Sequence, residues 1–99
     1  MGGFCMSIPK EFKLLGRKFT VENDDNLHIN SNHSAELHYK DAKIYLQTNN
    51  NYCEQGYYEQ SFWHEVVHAI LFAMGEDSHD EKYVDSFAGL LHQVIKTMK

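Results

Sequence analysis

The sequence predicts an α+β domain in which an N-terminal antiparallel sheet, built of hairpins, packs on two C-terminal helices. Three observations lead there. Apolar and polar residues alternate up to Leu46, apolar residues recur at spacings of three and four from about Tyr58 onward, and stretches rich in Asn, Asp and Gly divide the segments. Strands first and helices last is the order of a layered α+β domain rather than of an alternating α/β one.

Taken in order, Phe12 and Leu14, then Phe19 and Val21, alternate on either side of Leu15-Gly16-Arg17, which reads as a hairpin or a bent strand. Asn23 to Asn32 is crowded with residues that satisfy their own backbone in turns, so it is expected to be an exposed loop. Leu37 and Tyr39, then Ile44 and Leu46, make a second hairpin around Lys40-Asp41-Ala42-Lys43. A second loop spans Asn49 to Gly56. From about Tyr58 to Met74, Phe62, Val66, Ala69, Ile70 and Ala73 mark one face of a helix, and Gly75 offers its left-handed stop. Glu76 to Asp80 make a short connection. A second helix is expected from about Asp80 to Thr97, with Val84, Phe87, Ala88, Leu91, Val94, Ile95 and Met98 as its apolar stripe.

With 99 residues, the chain supports one domain and one core, without a separate substrate-binding module. Its formal charge of −5 repels phosphate backbones, and no Lys/Arg cluster offsets this locally, so nucleic acid is not an expected partner. No apolar run reaches the length of a membrane span, and Met1 to Ile8 is too short and uncharged for a secretory signal. The expectation is a cytoplasmic protein with no membrane partner. Cys5 and Cys53 lie far apart without a C-x-x-C, and are read as two reduced thiols.

Chemistry enters at His64-Glu65-Val66-Val67-His68. Four residues is slightly more than one helical turn, so His64 and His68 project from one face with their imidazoles close enough to grip one ion. Glu65, about 100° round the helix, can reach an activated water without being a ligand. The composition predicts roughly 0.04 chance occurrences of such an H-E-x-x-H pentad. The surrounding Trp63, Val66, Val67 and Ala69 point to a largely buried helix, where two His and a Glu are costly unless they bond something.

A catalytic zinc normally takes three protein ligands. The downstream candidates are Glu76, Asp77, His79, Asp80, Glu81, Asp85 and His92. The longer H-E-x-x-H-x-x-G-x-x-H pattern is absent, since its last two defined places hold Leu71 and Met74. Glu81 and Asp85 lie four apart on one face of the second helix, where one carboxylate can close the site while the other supports it. His79, an imidazole in the connecting loop, is the next candidate ligand. His28, His33, His38 and His92 read as ordinary surface or core histidines.

Asp80-Glu81-Lys82-Tyr83-Val84-Asp85 resembles the Glu-x-x-x-Asp arrangement of gluzincins, in which a Glu ligates zinc and the Asp buttresses a ligand histidine. Together with Phe62-Trp63-His64-Glu65-Val66-Val67-His68-Ala69-Ile70-Leu71 and Phe87-Ala88-Gly89-Leu90-Leu91, it resembles the small metallopeptidases of the ImmA/IrrE-like and SprT-like zincin groups, especially the short stand-alone versions of phages and prophages. In place of the Glu-Ala-Asn that ImmA/IrrE-type proteins commonly carry ahead of their Phe-Ala, this chain has Tyr83-Val84-Asp85.

The resemblance implies a zincin-like fold spanning residues 1–99 as a single minimal domain. It implies zinc (Zn2+) held by His64, His68 and Glu81, with Asp85 behind a ligand histidine and Glu65 as the catalytic base. The implied activity is hydrolysis of peptide bonds in a protein or peptide substrate, with a repressor as one candidate. Tyr57, Tyr58 and Tyr83 are the nearest candidates for a donor to the tetrahedral oxyanion. A zinc-stabilised protein-binding module without turnover is the alternative reading, and an unmetallated interaction module the third.

Overall fold

The computed structural model describes residues 8–23, 35–46 and 57–98. Strand β1 (Glu11–Leu14) turns into β2 (Arg17–Asn23), with Leu14 opposite Arg17. Leu15 and Gly16 alone make the turn, at φ 54° and 77°. Two consecutive positive φ values are what a two-residue hairpin turn requires, because they match the twist of the flanking strands. Gly accepts this conformation freely, whereas Leu15 carries a Cβ penalty and is exposed. Leu15→Asn is therefore expected to stabilise the fold by about 0.5–1 kcal/mol, read as a higher urea midpoint at unchanged slope.

The second hairpin joins β3 (Ala35–His38) to β4 (Lys43–Leu46), with Leu37 opposite Ile44. Its turn is closed by Asp41 N–H donating to the His38 carbonyl at 3.1 Å and Ala42 N–H donating to that of Tyr39 at 3.1 Å.

The sheet departs from the expected antiparallel arrangement. Its order is β1-β2-β4-β3, and the central pair, β2 with β4, runs parallel. Alternation fixes which face of a strand is buried but not which strand lies beside it. Here β4, with Ile44 and Leu46 both buried, takes an inner position and leaves β3 at the edge. The segment between Asn23 and Lys43, which includes β3, is the long crossover that a parallel neighbour needs. Four contacts secure the pairing. Thr20 N–H donates to the Ala42 carbonyl at 3.0 Å, Lys43 Nζ meets Glu22 Oε2 at 2.7 Å, and Arg17 Nη2 donates to the carbonyls of Tyr39 and Lys40 at 2.8 and 3.1 Å.

Helix α1 (Tyr57–Ala73) lies across β3 and β4, and α2 (Glu81–Thr97) packs on α1. Phe62 and Val66 join Ala35, Ile44 and Leu46 in one buried cluster, while Val67 joins Val84 and Ala88 in a second one between the helices. Helix α1 ends as expected. Gly75, at φ 91°, lets Glu76 N–H reach back to the Leu71 carbonyl at 2.9 Å and Gly75 N–H to that of Phe72 at 3.0 Å. Asp80 then caps α2 by accepting from Lys82 N–H at 3.1 Å.

The expected stripe of α2 divides in two. Val84, Ala88 and Leu91 turn toward α1, whereas Phe87, Val94, Ile95 and Met98 are exposed. His92 is buried instead, its Nε2 2.7 Å from Glu59 Oε1 on α1. Among the described residues, no helix is long and apolar enough to cross a membrane. Cys5 and Cys53, most of the Asn23–Asn32 loop and the Asn49–Gly56 loop lie outside the described residues.

Candidate metal centre

Three contacts between the helices, His68 to Glu81, His64 to Asp85 and Glu59 to His92, step in opposite directions along α1 and α2, so the helices run antiparallel. Each face has a spacing of four: His64 and His68 on α1, Glu81 and Asp85 on α2. The tight Gly75 exit and the Asp80 cap put Glu81 in the first turn of α2, level with the last turns of α1.

Glu81 Oε1 lies 3.2 Å from His64 Nε2 and 3.2 Å from His68 Nε2. One ligand atom from each of these residues falls within 4.8 Å of the others, so the group could hold a metal ion. The opposite ring nitrogens are engaged elsewhere. His64 Nδ1 lies 3.2 Å from Asp85 Oδ1, and His68 Nδ1 lies 2.6 Å from His79 Nδ1.

These partners decide the tautomers. The Glu76 carbonyl can only accept, so His79 donates to it through Nε2–H at 2.7 Å, and neutral His79 keeps a lone pair on Nδ1. His68 then donates Nδ1–H to that lone pair. Asp85 accepts from His64 Nδ1–H in the same way. With both rings neutral in these tautomers, their Nε2 lone pairs face the Glu81 carboxylate, which makes three electron-pair donors. Such a set is repulsive by itself and attractive around a cation, so the donor chemistry fits a divalent metal. Burial, the largest influence on His68, holds its imidazole below the ordinary range and favours the neutral ring that a ligand must present.

Glu65 lies to one side of this triad and is half-buried. Burial, reinforced by the charges of Glu81 and Glu36 and opposed by His64, pushes its carboxyl up to about 7. It also accepts a hydrogen bond from the backbone of Leu37 on edge strand β3. An open cleft of about 320 Å³ is lined by Leu37, Glu65, His68, Phe72, Asp77, His79 and Glu81. His68 and His79 line it together with the exposed carboxylate of Glu81, while His64 and Asp85 lie outside its lining.

The structure brings His64, Glu65, His68, Glu81 and Asp85 to one place. His79 is there too, but behind His68 rather than among the converging donors. Its ring lies nearly coplanar with that of His68 and meets it edge to edge, the centroids 4.9 Å apart, and it tilts against Phe72 at 4.4 Å. A histidine two residues before the Glu81 position was the available signal, and only the path of the 76–80 connection shows which nitrogen it meets. Glu36 influences Glu65 from across the sheet, and no local pattern marks it. Tyr83 packs edge-on against Phe87 at 5.8 Å and does not line the cleft. The side chains of Tyr57 and Tyr58 lie outside the description. No protein-family model, curated protein or solved structure matches this chain.

Proposed function

We propose that the chain is a zinc-dependent endopeptidase-like protein acting on peptide bonds of a protein substrate. The observation that carries this reading is the convergence of the two Nε2 atoms on the Glu81 carboxylate beside a half-buried carboxyl, Glu65. Two imidazoles and one carboxylate form a ligand set that suits zinc and leaves a fourth position open. When bound, zinc polarises a carbonyl and lowers the pKa of a water toward ~7.

The remaining chemistry belongs to the chain. Glu65, near neutrality in its affinity for a proton, takes one from the attacking water and gives it to the leaving amine. The Leu37 hydrogen bond fixes the orientation of its carboxylate. Asp85 and His79 hold His64 and His68 with Nε2 forward. Leu37 and Phe72 supply apolar walls against which a substrate side chain can rest.

A zinc-stabilised binding module is the second reading, favoured by the position of Tyr83 on the outer face of α2 instead of in the cleft. The experiment joins two measurements on zinc-reconstituted protein at neutral pH: metal stoichiometry by elemental mass spectrometry, and cleavage of an unstructured protein such as casein. About one zinc per chain with cleavage that a chelator abolishes is the expected result. One zinc without cleavage of any unfolded substrate selects the binding module, and a stoichiometry near zero overturns both readings.

A further inference from the structure

The cleft beside the metal centre carries one carboxylate that the proposed chemistry leaves unused. Glu81 faces the two Nε2 atoms and Glu65 exchanges the proton, but Asp77, which also lines the cleft, has neither role. Asp77 is exposed, and its carboxylate makes neither a hydrogen bond nor an ion pair with another described residue. It belongs to the connection Glu76-Asp77-Ser78-His79-Asp80-Glu81, where four of the six side chains are acidic. No lysine or arginine lines the cleft, and the formal charge of the chain is −5. The walls are of a different kind. Leu37 comes from edge strand β3 and Phe72 from the last turn of α1, where ring contacts with Tyr39 at 5.2 Å and His79 at 4.4 Å hold it in place.

We infer that the cleft selects a peptide through one lysine or arginine side chain, its apolar stem along Leu37 and Phe72 and its cation at the Asp77 carboxylate. On the peptidase reading, on which this preference rests, that side chain adjoins the scissile bond, since the same cleft contains Glu65, His68 and Glu81. The other side-chain classes match less of the surface. An acidic side chain meets the carboxyl groups of Glu65, Asp77 and Glu81 and no lysine or arginine. A purely apolar one gains the walls but covers a charged group without answering it. A long cationic chain matches both surfaces, because lysine and arginine lay their methylenes on apolar surface and keep the charged end in water. Low-dielectric walls around charges of one sign also focus the field and raise the local concentration of cationic peptides. Asp77 is not among the converging ligands, so its charge stays available when Glu81 is engaged by a metal.

Fluorescence anisotropy tests this on the zinc-reconstituted Glu65→Gln protein, which turns peptides over too slowly to interfere. The probes are three dye-labelled alanine peptides that carry lysine, norleucine or glutamate at the centre. The lysine peptide is expected to bind about fivefold more tightly than its norleucine twin, the upper end for an exposed ion pair, and the glutamate peptide most weakly. Adding Asp77→Asn should bring lysine and norleucine to equal affinity with circular dichroism and zinc stoichiometry unchanged, and Asp77→Lys should put glutamate ahead of lysine. Equal binding of the lysine and norleucine peptides, or no measurable binding of any of the three, overturns the preference. A lysine preference that survives Asp77→Asn overturns it equally, because the cation then rests on another carboxylate. Cleavage of casein by the unsubstituted zinc-loaded chain is read separately, with cuts expected beside lysine and arginine and no longer concentrated there in Asp77→Asn. Absence of cleavage together with an Asp77-dependent lysine preference removes the peptidase reading and keeps the preference, whereas cleavage without the preference does the reverse.

Discussion

Glu65→Gln is expected to lower peptide hydrolysis by about 10²–10⁴-fold while leaving zinc stoichiometry at one, since an amide can neither accept nor return the proton. The same substitution should make the metal-free protein more stable. The Glu65 carboxyl ordinarily titrates near 4.5 and is pushed up to about 7 by burial. Below pH 4.5 both folded and unfolded chains hold the proton, and the group contributes nothing to pH dependence. As pH rises from 4.5 to 7 the unfolded chain releases its proton first, so folding is progressively disfavoured, and above 7 the full penalty remains. The penalty is on the order of 2 kcal/mol at pH 8, part of which Gln recovers by removing the charge. With melting shifts of about 4–8 °C per kcal/mol in a domain of this size, the variant should melt roughly 10 °C higher in chelator at pH 8 and show little gain at pH 4. A carboxylate that served mainly to hold the fold would give the opposite sign, a lower melting temperature at pH 8. That outcome would remove the functional argument for burying Glu65.

This opposition between stability and chemistry bears on how much of the molecule its sequence discloses. Both hairpins and both helices are legible because their signals are local: alternation around Leu15-Gly16, helical spacing between Phe62 and Ala73, a left-handed Gly75, a capping Asp80. The parallel β2–β4 pair is not, because it depends on Arg17 reaching the Tyr39 and Lys40 carbonyls and on Lys43 reaching Glu22, contacts between residues distant in sequence. The stripe of α2 was legible as apolar but not as divided. Val84 and Phe87 are equally hydrophobic, and only the position of α1 decides that the first is buried and the second exposed. At the candidate centre, spacing alone brings His64 to His68 and Glu81 to Asp85, while the meeting of the two pairs needs the exit angle set by Gly75. The influence of Glu36 on Glu65 and the place of His79 depend on tertiary geometry throughout.

The ligand series should show a defined order. Metal affinity, measured by competition with a chromophoric chelator, is expected to fall most for His64→Ala, His68→Ala and Glu81→Ala, each beyond 1,000-fold, because each removes one of the three donors that converge. Asp85→Ala should cost roughly 10- to 100-fold, since His64 keeps its Nε2 but loses the carboxylate that fixes its tautomer. From sequence alone, His79→Ala is expected to change almost nothing if Glu81 is the third ligand. The 2.6 Å contact to His68 Nδ1 changes that expectation to a loss comparable with that at Asp85, because the imidazole of His68 can then rotate or take its proton on Nε2. Cobalt substitution distinguishes the two kinds of loss: Asp85→Ala and His79→Ala should retain the intense visible absorption of a low-coordinate site at saturating metal, and Glu81→Ala should not. If His79→Ala abolished binding while Glu81→Ala kept it, the metal would lie on the Nδ1 side of His68, and the convergence of the two Nε2 atoms on Glu81 would be an ion pair rather than a metal centre.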